Sequence, residues 1–238
     1  MPVPEVTIFT CSYNKPQYIS DAIDSVLSQT FTNFEYIILE NSTDDKTRNI
    51  VHSYRDKRIK IIDRDFSDED RKTFYMESNL KNIYSQQARG KYIMYLADDD
   101  ILDLRCFEEH IKEFQKDENQ KVNFHSYRIV YLGTDKPAEV IPANRMYGLH
   151  TDKRPNCYVD GGSVMFKKEM FEAKEVYEPY FRVEWHHAHF SDGLFLNKLG
   201  RACTFYPINK ILHTKRITEV STHTFVDKAC SISSYRIR

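Results

Sequence analysis

The sequence predicts an α/β fold with a mostly parallel central sheet flanked by helices. In roughly the first 100 residues, four strand-like apolar segments alternate with helix-like segments, which is typical of right-handed βαβ units. The remaining residues show shorter strands and a hairpin-like pair, which indicates a mixed second half. We expect a single domain over residues 1–238, with one half at about 1–103 and the other at about 104–238.

Each element of the first half has a pattern of its own. The uninterrupted apolar run at 92–97 is typical of a strand that is buried on both faces. Apolar residues at helical spacing, such as Ile19, Ile23 and Val26 after Pro16, predict a helix. The predicted strands are at 6–10, 35–40, 59–63 and 92–97, the helices at about 17–28, 45–54 and 74–88, and a charged loop at 64–73.

The second half is less regular. One helix is predicted after Asp103, a residue type that caps helix N-termini. Another is predicted from Ser191, with Gly200 just past its C-terminus. The predicted helices are at about 104–115, 167–174 and 191–200, and the strands at 122–132, 138–141, 158–166, 202–206 and 210–213.

The composition argues against several classes of function. The 34 Lys and Arg residues balance 35 Asp and Glu residues, so no excess positive charge favours nucleic acid as a partner. No apolar run reaches the roughly 18 residues that a membrane-spanning helix needs, and we expect no signal peptide. The five scattered cysteines lack a C-x-x-C pair, which favours reduced thiols in a cytoplasmic protein.

Three consecutive carboxylates follow the apolar run at 92–97. Asp98, Asp99 and Asp100 stand at its carboxyl end, the edge at which open α/β sheets bind ligands. Massed negative charge is costly there without a cation, and Mg²⁺ and Mn²⁺ prefer oxygen ligands. These residues therefore predict a divalent-metal site that holds a phosphorylated ligand. The alternative is a solvated loop that starts the next helix.

An ordered set of segments resembles one enzyme family. The segments are 6–14 (VTIFTCSYN), 23–31 (IxxVLxQTF), 35–44 (EYIILENSTD), 88–93 (AxGxYI) leading to the three acids, 160–165 (DGGSVM) and 191–195 (SDxxF). Together they are similar to the family 2 inverting nucleotide-sugar glycosyltransferases of the GT-A fold, and within that family to bacterial spore-coat polysaccharide glycosyltransferases. The similarity covers about residues 4–225. It implies a Rossmann-like GT-A sheet and a second half that binds the acceptor.

The resemblance also implies a nucleotide-binding set. Its members are Cys11, Tyr13, Glu40, Asp98 and Arg216, with His213 as the alternative to Arg216. In the family, the positions of Cys11 and Tyr13 surround the nucleobase and that of Glu40 contacts its edge. The position of Asp98 binds the ribose, and that of Arg216 or His213 approaches the diphosphate. The donor would be a nucleoside-diphosphate sugar of the UDP or dTDP type. Glu40 stands where the family usually has Asp, and its ordinary alternative is pairing with Lys46 or Arg48.

Metal, base and acceptor roles follow from the same resemblance. Asp99 would bind Mn²⁺ or Mg²⁺ at the diphosphate, with Asp100 assisting directly or through water. Asp192 would be the general base that takes the proton of the acceptor hydroxyl, and its ordinary alternative is a helix-capping acid. Asp160 and Trp185 would contact the acceptor, which is a glycan or another hydroxyl compound.

Two positions depart from the family pattern. Ala97 stands where many relatives have the first acid of a D-x-D motif, which shifts metal binding onto Asp99 and Asp100. The family often has a basic residue in the segment before Gly90, and Met76 occupies the aligned position.

These observations predict a metal-dependent inverting glycosyltransferase in surface or spore-coat polysaccharide synthesis. The first alternative is a catalytically weak or inactive relative that binds nucleotide or glycan. The second is a nucleotidyltransferase, which is disfavoured because residues 11–16 contain no glycine for a phosphate-binding loop. The protein would be cytoplasmic or associated with the spore, and the sequence leaves a homodimer open.

Overall fold

The computed structural model describes residues 3–73, 75–149, 159–181 and 191–218. Within these ranges ten strands form one sheet, flanked by six α-helices. The strands are β1 Val6–Ser12, β2 Phe34–Glu40, β3 Ile59–Asp63, β4 Tyr92–Tyr95, β5 Ile101–Leu102, β6 Val122–Tyr131, β7 Glu139–Ile141, β8 Tyr147–Gly148, β9 Val164–Lys167 and β10 Thr204–Ile217. The helices are α1 Ile19–Leu27, α2 Asp45–Ser53, α3 Asp68–Thr73, α4 Met76–Tyr84, α5 Cys106–Lys116 and α6 Ser191–Ala202.

The strand order explains where a ligand can bind. The main path runs β3-β2-β1-β4-β9-β6-β10-β5, and its first four strands are mutually parallel. Strand β9 is antiparallel to both β4 and β6, whereas β10 runs parallel to β6. The predicted α/β class, with a parallel first half and a mixed second half, is confirmed. The carboxyl ends of β1, β2 and β4 therefore meet at one edge.

Two apolar clusters cover the two faces of this sheet. Because neighbouring residues of a strand point to opposite faces, Ile8 joins one cluster and Phe9 the other. The Ile8 cluster includes Ile23 of α1 and Phe107 of α5. The Phe9 cluster includes Phe195 of α6 and extends into the second half of the chain. Helices on both faces are what a parallel sheet requires.

Several predicted elements differ from the observed ones. The charged segment 64–73 contains the short helix α3, and the predicted strands 202–206 and 210–213 form the single strand β10. Register shifts between Ile208 and Ile211 interrupt the pairing of β10, and the polar residues there resemble a turn in the sequence. Gly200 lies inside α6, and Arg105 rather than Asp103 is the N-terminal cap of α5. The segment at 161–163 is a 3₁₀ turn that precedes β9.

Cys11, Cys106 and Cys203 are free thiols. None of the helices in the described ranges has the length and apolar character needed to span a membrane.

Gly90 provides a test of the packing between β1 and β4. A Cβ atom at this position would lie 2.5 Å from the backbone nitrogen of Thr7 and 2.6 Å from the carbonyl carbon of Val6. Both atoms are backbone and cannot rotate away, so we expect Gly90→Ala to lower the free energy of unfolding by about 1–3 kcal/mol. Urea unfolding measures the change. Lys91→Ala, at the exposed next residue, should stay within about 0.5 kcal/mol, and equal stability of both variants would contradict the packing.

Candidate functional site

The three acids predicted to bind metal are buried together at the carboxyl edge of the sheet. Asp98, Asp99 and Asp100 are 5%, 4% and 3% exposed. They follow β4 directly, beside the ends of β1 and β2. This burial excludes the alternative of a solvated loop. Because buried carboxylates need compensation, the groups that surround them define the site.

Lys15 compensates two of these carboxylates. Its ammonium nitrogen lies 2.8 Å from a carboxylate oxygen of Asp98 and 2.8 Å from one of Asp99. The backbone N–H of Tyr13 donates to the other Asp98 oxygen at 2.9 Å. Burial raises the pKa of Asp98 to about 6, with Lys15 opposing the shift and Asp99 adding to it. Sequence reasoning missed Lys15, because a single lysine in a loop carries no signal about its partners.

Asp100 is bound by β10. One of its oxygens accepts the backbone N–H of Arg216 at 2.8 Å, and the other lies 3.0 Å from Nε2 of His213. His213 is itself 1% exposed. Both oxygens of Asp100 therefore contact the second half of the chain, which places His213 directly beside the acids that are predicted to bind metal.

The side chain of Arg216 joins β10 to α1. Its Nη1 lies 2.6 Å from a carboxylate oxygen of Asp21, and its Nη2 donates to the carbonyl of Tyr18 at 3.2 Å. Its Nε donates to the carbonyl of Asp99. These contacts hold the guanidinium within the protein, and its approach to a donor diphosphate stays a prediction.

Glu40 ends β2 with one carboxylate oxygen unpaired. Its Oε1 accepts the backbone N–H of Ser42 at 2.6 Å, whereas its buried Oε2 has no hydrogen-bond partner among the described residues. Arg48 does not pair with it and instead donates to the carbonyl of Ser42 at 2.6 Å and to Asp65 at 2.8 Å. One acceptor oxygen of Glu40 is thus unpaired at the position that is predicted to contact the edge of the nucleobase.

Two predicted base-binding residues flank this position. The ring of half-exposed Tyr13 has the guanidinium of Arg71 at 5.0 Å from its centre. Arg71 also donates to the carbonyl of Asn41 at 2.8 Å, and sequence reasoning missed it because it lies in the segment expected to be a loop. The thiol of Cys11 lies 3.7 Å from the carbonyl of Glu77, and burial raises its pKa well above the usual value. Cys11 is therefore a neutral pocket residue and not a nucleophile.

Asp192 lies in the first turn of α6, where it contacts a buried lysine. Lys81 of α4 has a side chain 7% exposed, and its Nζ lies 3.2 Å from Asp192 and 2.7 Å from Glu77. Burial alone would lower the pKa of Lys81, but Asp192 and Glu77 raise it well above the usual value. Met76, which occupies the position where the family often has a basic residue, is part of the apolar interior. Lys81 is a basic residue of the same helix, five positions later.

The 3₁₀ turn at Gly161–Ser163 holds Asp160. Its Oδ1 accepts the backbone N–H of Gly162 at 2.9 Å, and its Oδ2 forms an ion pair with Lys215 of β10. Burial alone would raise the pKa of Asp160, but the charges of Lys215 and His213 lower it well below the usual value. Asp160 is thus an ionised residue that links the 3₁₀ turn to β10.

The glycines of this turn bring the acids of the two halves together. A Cβ at Gly161 would lie 2.7 Å from Oδ2 of Asp192, and one at Gly162 would lie 3.3 Å from Cε1 of His213. One short turn therefore contacts both the predicted base and the histidine beside Asp100. Trp185, predicted to contact the acceptor, lies outside the described residues.

The arrangement combines three buried carboxylates with a separate, half-exposed carboxylate next to a glycine turn. The sequence model of one family, described as Glycosyl transferase family 2, matches residues 7–173. The chain belongs to this family. The matched residues extend from β1 to β9 and include the three acids.

Two curated relatives of this family 2 chain come from Bacillus subtilis (strain 168). Protein CgeD is 26% identical over 212 residues, which are 88% of this chain and 49% of CgeD. The putative teichuronic acid biosynthesis glycosyltransferase TuaG is 25% identical over 225 residues, which are 92% of this chain and 81% of TuaG. The chain thus spans about half the length of the one and most of the other.

Solved structures confirm the GT-A fold of this family 2 chain. TarS 1–349 from S. aureus, in complex with UDP-GlcNAc, has a TM-score of 0.72 at 17% identity, covering 92% of this chain and 60% of TarS. The mannosyltransferase PcManGT from Pyrobaculum calidifontis, in complex with GDP-Man and Mn²⁺, has a TM-score of 0.57 at 13% identity, covering 97% of this chain and 65% of PcManGT. At these identities the likeness concerns the fold alone.

The contact between Lys81 and Asp192 can be measured with a double-mutant cycle. We expect Lys81→Met and Asp192→Asn to show a coupling energy of about 0.5–1 kcal/mol in urea unfolding. The value is modest because the side chain of Asp192 is 47% exposed and water screens the pair. The control pairs Lys81→Met with Glu169→Gln, because Glu169 forms its ion pair with Lys121. In this control the two changes in unfolding free energy should be additive. Additivity of the Lys81 and Asp192 changes would argue against the ion pair.

Proposed function

We propose that this domain transfers a sugar from a nucleoside-diphosphate sugar to a hydroxyl group of a glycan acceptor, with inversion and with help from a divalent cation. The biological setting that fits is the synthesis of a cell-surface polysaccharide. Family membership supports glycosyl transfer, and the name of TuaG supports an acceptor in a surface polymer. The geometry of the site supports the remaining parts, which are argued below.

One observation carries the proposal: the turn at 160–163 contacts both Asp192 and His213, and His213 contacts Asp100. The predicted base and the predicted metal site are therefore parts of one continuous site. An inverting transfer needs this arrangement, because the base must take the acceptor proton on the face opposite the leaving diphosphate. Separate locations for the two groups would have argued against the reaction.

The acids fit Mn²⁺ or Mg²⁺. Carboxylate oxygens are the ligands these ions prefer, and the ammonium of Lys15 beside Asp98 and Asp99 supports a position that favours positive charge, which a metal ion would share or take over. We assign Asp99 as the main ligand, assisted by Asp100, and Asp98 to the ribose. A bound ion would stabilise the negative charge that develops on the leaving diphosphate.

The donor would bind with its base between β1 and β2. The unpaired Oε2 of Glu40 can accept one N–H, and uracil and thymine each offer one at the base edge. Tyr13 and Cys11 would line the pocket, with the guanidinium of Arg71 beside the ring of Tyr13. TarS was solved with UDP-GlcNAc, which agrees with a UDP-type donor.

Asp192 would act as the base and Lys81 would hold it in place. Its carboxylate is fixed between Lys81 and Gly161, whereas about half of the side chain is exposed to an incoming hydroxyl. Asp160, tied to Lys215, and Trp185 would contact the acceptor. A nucleotide-binding relative without transfer is the second candidate, favoured by Lys15 bridging the two carboxylates that a metal and ribose would contact.

Replacing the base tests the reaction. We expect Asp192→Asn to lower the transfer rate on the order of 10²–10⁴-fold, since a general base contributes about that much, and to leave the dissociation constant for the nucleotide nearly unchanged. Asp45→Asn, which removes another first-turn helix acid, is the matched control and should keep full activity. Equal loss of nucleotide binding and transfer in Asp192→Asn would reassign Asp192 to a structural role.

Donor and metal are tested by thermal unfolding with UDP, dTDP and GDP, each with and without Mn²⁺. A ligand that binds only the folded state raises the melting temperature. We expect UDP or dTDP to stabilise more than GDP, and Mn²⁺ to increase the effect. Asp99→Asn should lose the increase due to Mn²⁺. Stabilisation by none of the nucleotides would overturn the donor site, and stabilisation without transfer would favour the binding-only candidate.

A further inference from the structure

A buried cluster of one cysteine and two histidines lies behind the active site. Cys106 and His110 stand one turn apart on α5, and His125 lies on β6. All three are at most 1% exposed. Their ligand atoms lie within 4.8 Å of one another, with 2.7 Å between His110 Nε2 and His125 Nδ1 and 4.0 Å between Cys106 Sγ and His125 Nδ1. None of these side chains contributes to the proposed transfer.

The neighbouring asparagine determines which nitrogen of His110 carries the proton. Nδ2 of Asn123 donates to the carbonyl of His110 at 3.1 Å, so its Oδ1 is the atom that faces His110 Nδ1 at 2.5 Å. An amide oxygen only accepts, and therefore Nδ1 of His110 carries the proton. Its Nε2 is left with a lone pair that points to His125. A second-shell carbonyl on the far nitrogen is the usual environment of a metal-binding histidine.

This tautomer leaves His125 in an unfavourable state. Its Nδ1 must carry a proton to donate to His110, so its Nε2 holds a lone pair. That Nε2 is buried and has no partner among the described residues. The ring of His213 packs beside that of His125, with centroids 5.8 Å apart. His213 directs Nε2 to Asp100, and its Nδ1 is likewise buried without a described partner. Two buried ring nitrogens of this region therefore lack a partner among the described residues, which is rare in a protein interior.

The two imidazoles and the thiol can share a metal ion, because their ligand atoms converge in the interior. We propose that Cys106, His110 and His125 bind one divalent ion of the zinc class. The ion takes the lone pair of His110 Nε2 and that of His125 Nδ1, whose proton then sits on Nε2. The thiol of Cys106 gives its proton to solvent and binds as the thiolate, so one proton is released for each ion bound.

The donor set distinguishes this ion from the one proposed at Asp99. Two imidazole nitrogens and one thiolate favour Zn²⁺ or Co²⁺, whereas carboxylates favour Mg²⁺ and Mn²⁺. Burial lowers the pKa of His110 to about 4 and that of His125 well below its usual value, so both rings are neutral, as ligands must be. No fourth His, Cys, Asp or Glu joins the cluster within the described ranges. The ion would crosslink α5 to β6 next to His213, the residue of β10 that contacts Asp100.

Cobalt provides a direct test in the full-length protein. After removal of metal with a chelator, we expect about one equivalent of Co²⁺ to produce a thiolate-to-cobalt absorption band that Zn²⁺ abolishes by competition. Cys106→Ser should lose the band. Cys203→Ser, which removes another buried thiol, should keep it. Asp99→Asn should also keep the band while losing the stabilisation by Mn²⁺ with nucleotide, which separates this site from the donor site.

Two results would overturn the zinc-class site. One is the absence of a band in the wild-type protein, which would leave His110 and His125 as a hydrogen-bonded pair only. The other is a band that persists in Cys106→Ser. If Cys106→Ser does not fold, His110→Gln keeps the thiol and removes one nitrogen ligand. That variant should bind Co²⁺ at least tenfold more weakly, and unchanged affinity counts against the site.

Discussion

The structure depends on the compensation of three buried carboxylates at the end of one strand. Each of Asp98, Asp99 and Asp100 is almost fully buried, and an uncompensated buried charge costs several kcal/mol. Lys15, from the loop after β1, covers the first two acids, and His213 of β10 covers the third. Segments far apart in the chain must therefore meet before the edge is stable. The site is thus a consequence of how the fold neutralises its own charge.

This constraint also explains why the two halves behave as one unit. The first half supplies the parallel edge, but both carboxylate oxygens of Asp100 contact β10 of the second half. Lys81 similarly reaches from α4 to Asp192 of α6. The apolar cluster around Phe9 extends to Phe205 of β10. A boundary near residue 103 therefore passes through contacts that the two halves share.

Local patterns predicted much of the fold, because the parallel strands are short segments rich in apolar and β-branched residues. The predicted first, second and fourth strands correspond to β1, β2 and β4, and the third matches β3. The bulged β10 was read as two strands because its polar bulge resembles a turn. The acids were found because three carboxylates after a buried strand are conspicuous. Lys15, Arg71 and Lys81 were missed because their contacts with Asp98, Asn41 and Asp192 span 83, 30 and 111 residues, and spacing carries no information about such contacts.

The position of β10 has a consequence for protein synthesis. His213 follows Asp100 by 113 residues, an interval that a ribosome translates on the order of 10 s at about 5–20 residues per second. During that time the emerging first half carries Asp98 and Asp99 with Lys15 but leaves Asp100 without its partners. The carboxylate of Asp100 in the nascent chain thus lacks its hydrogen-bond partners. It obtains them only after His213 and Arg216 of the second half have been translated. The first half of the chain therefore completes its folding only when residues from the C-terminal half, such as His213, are available.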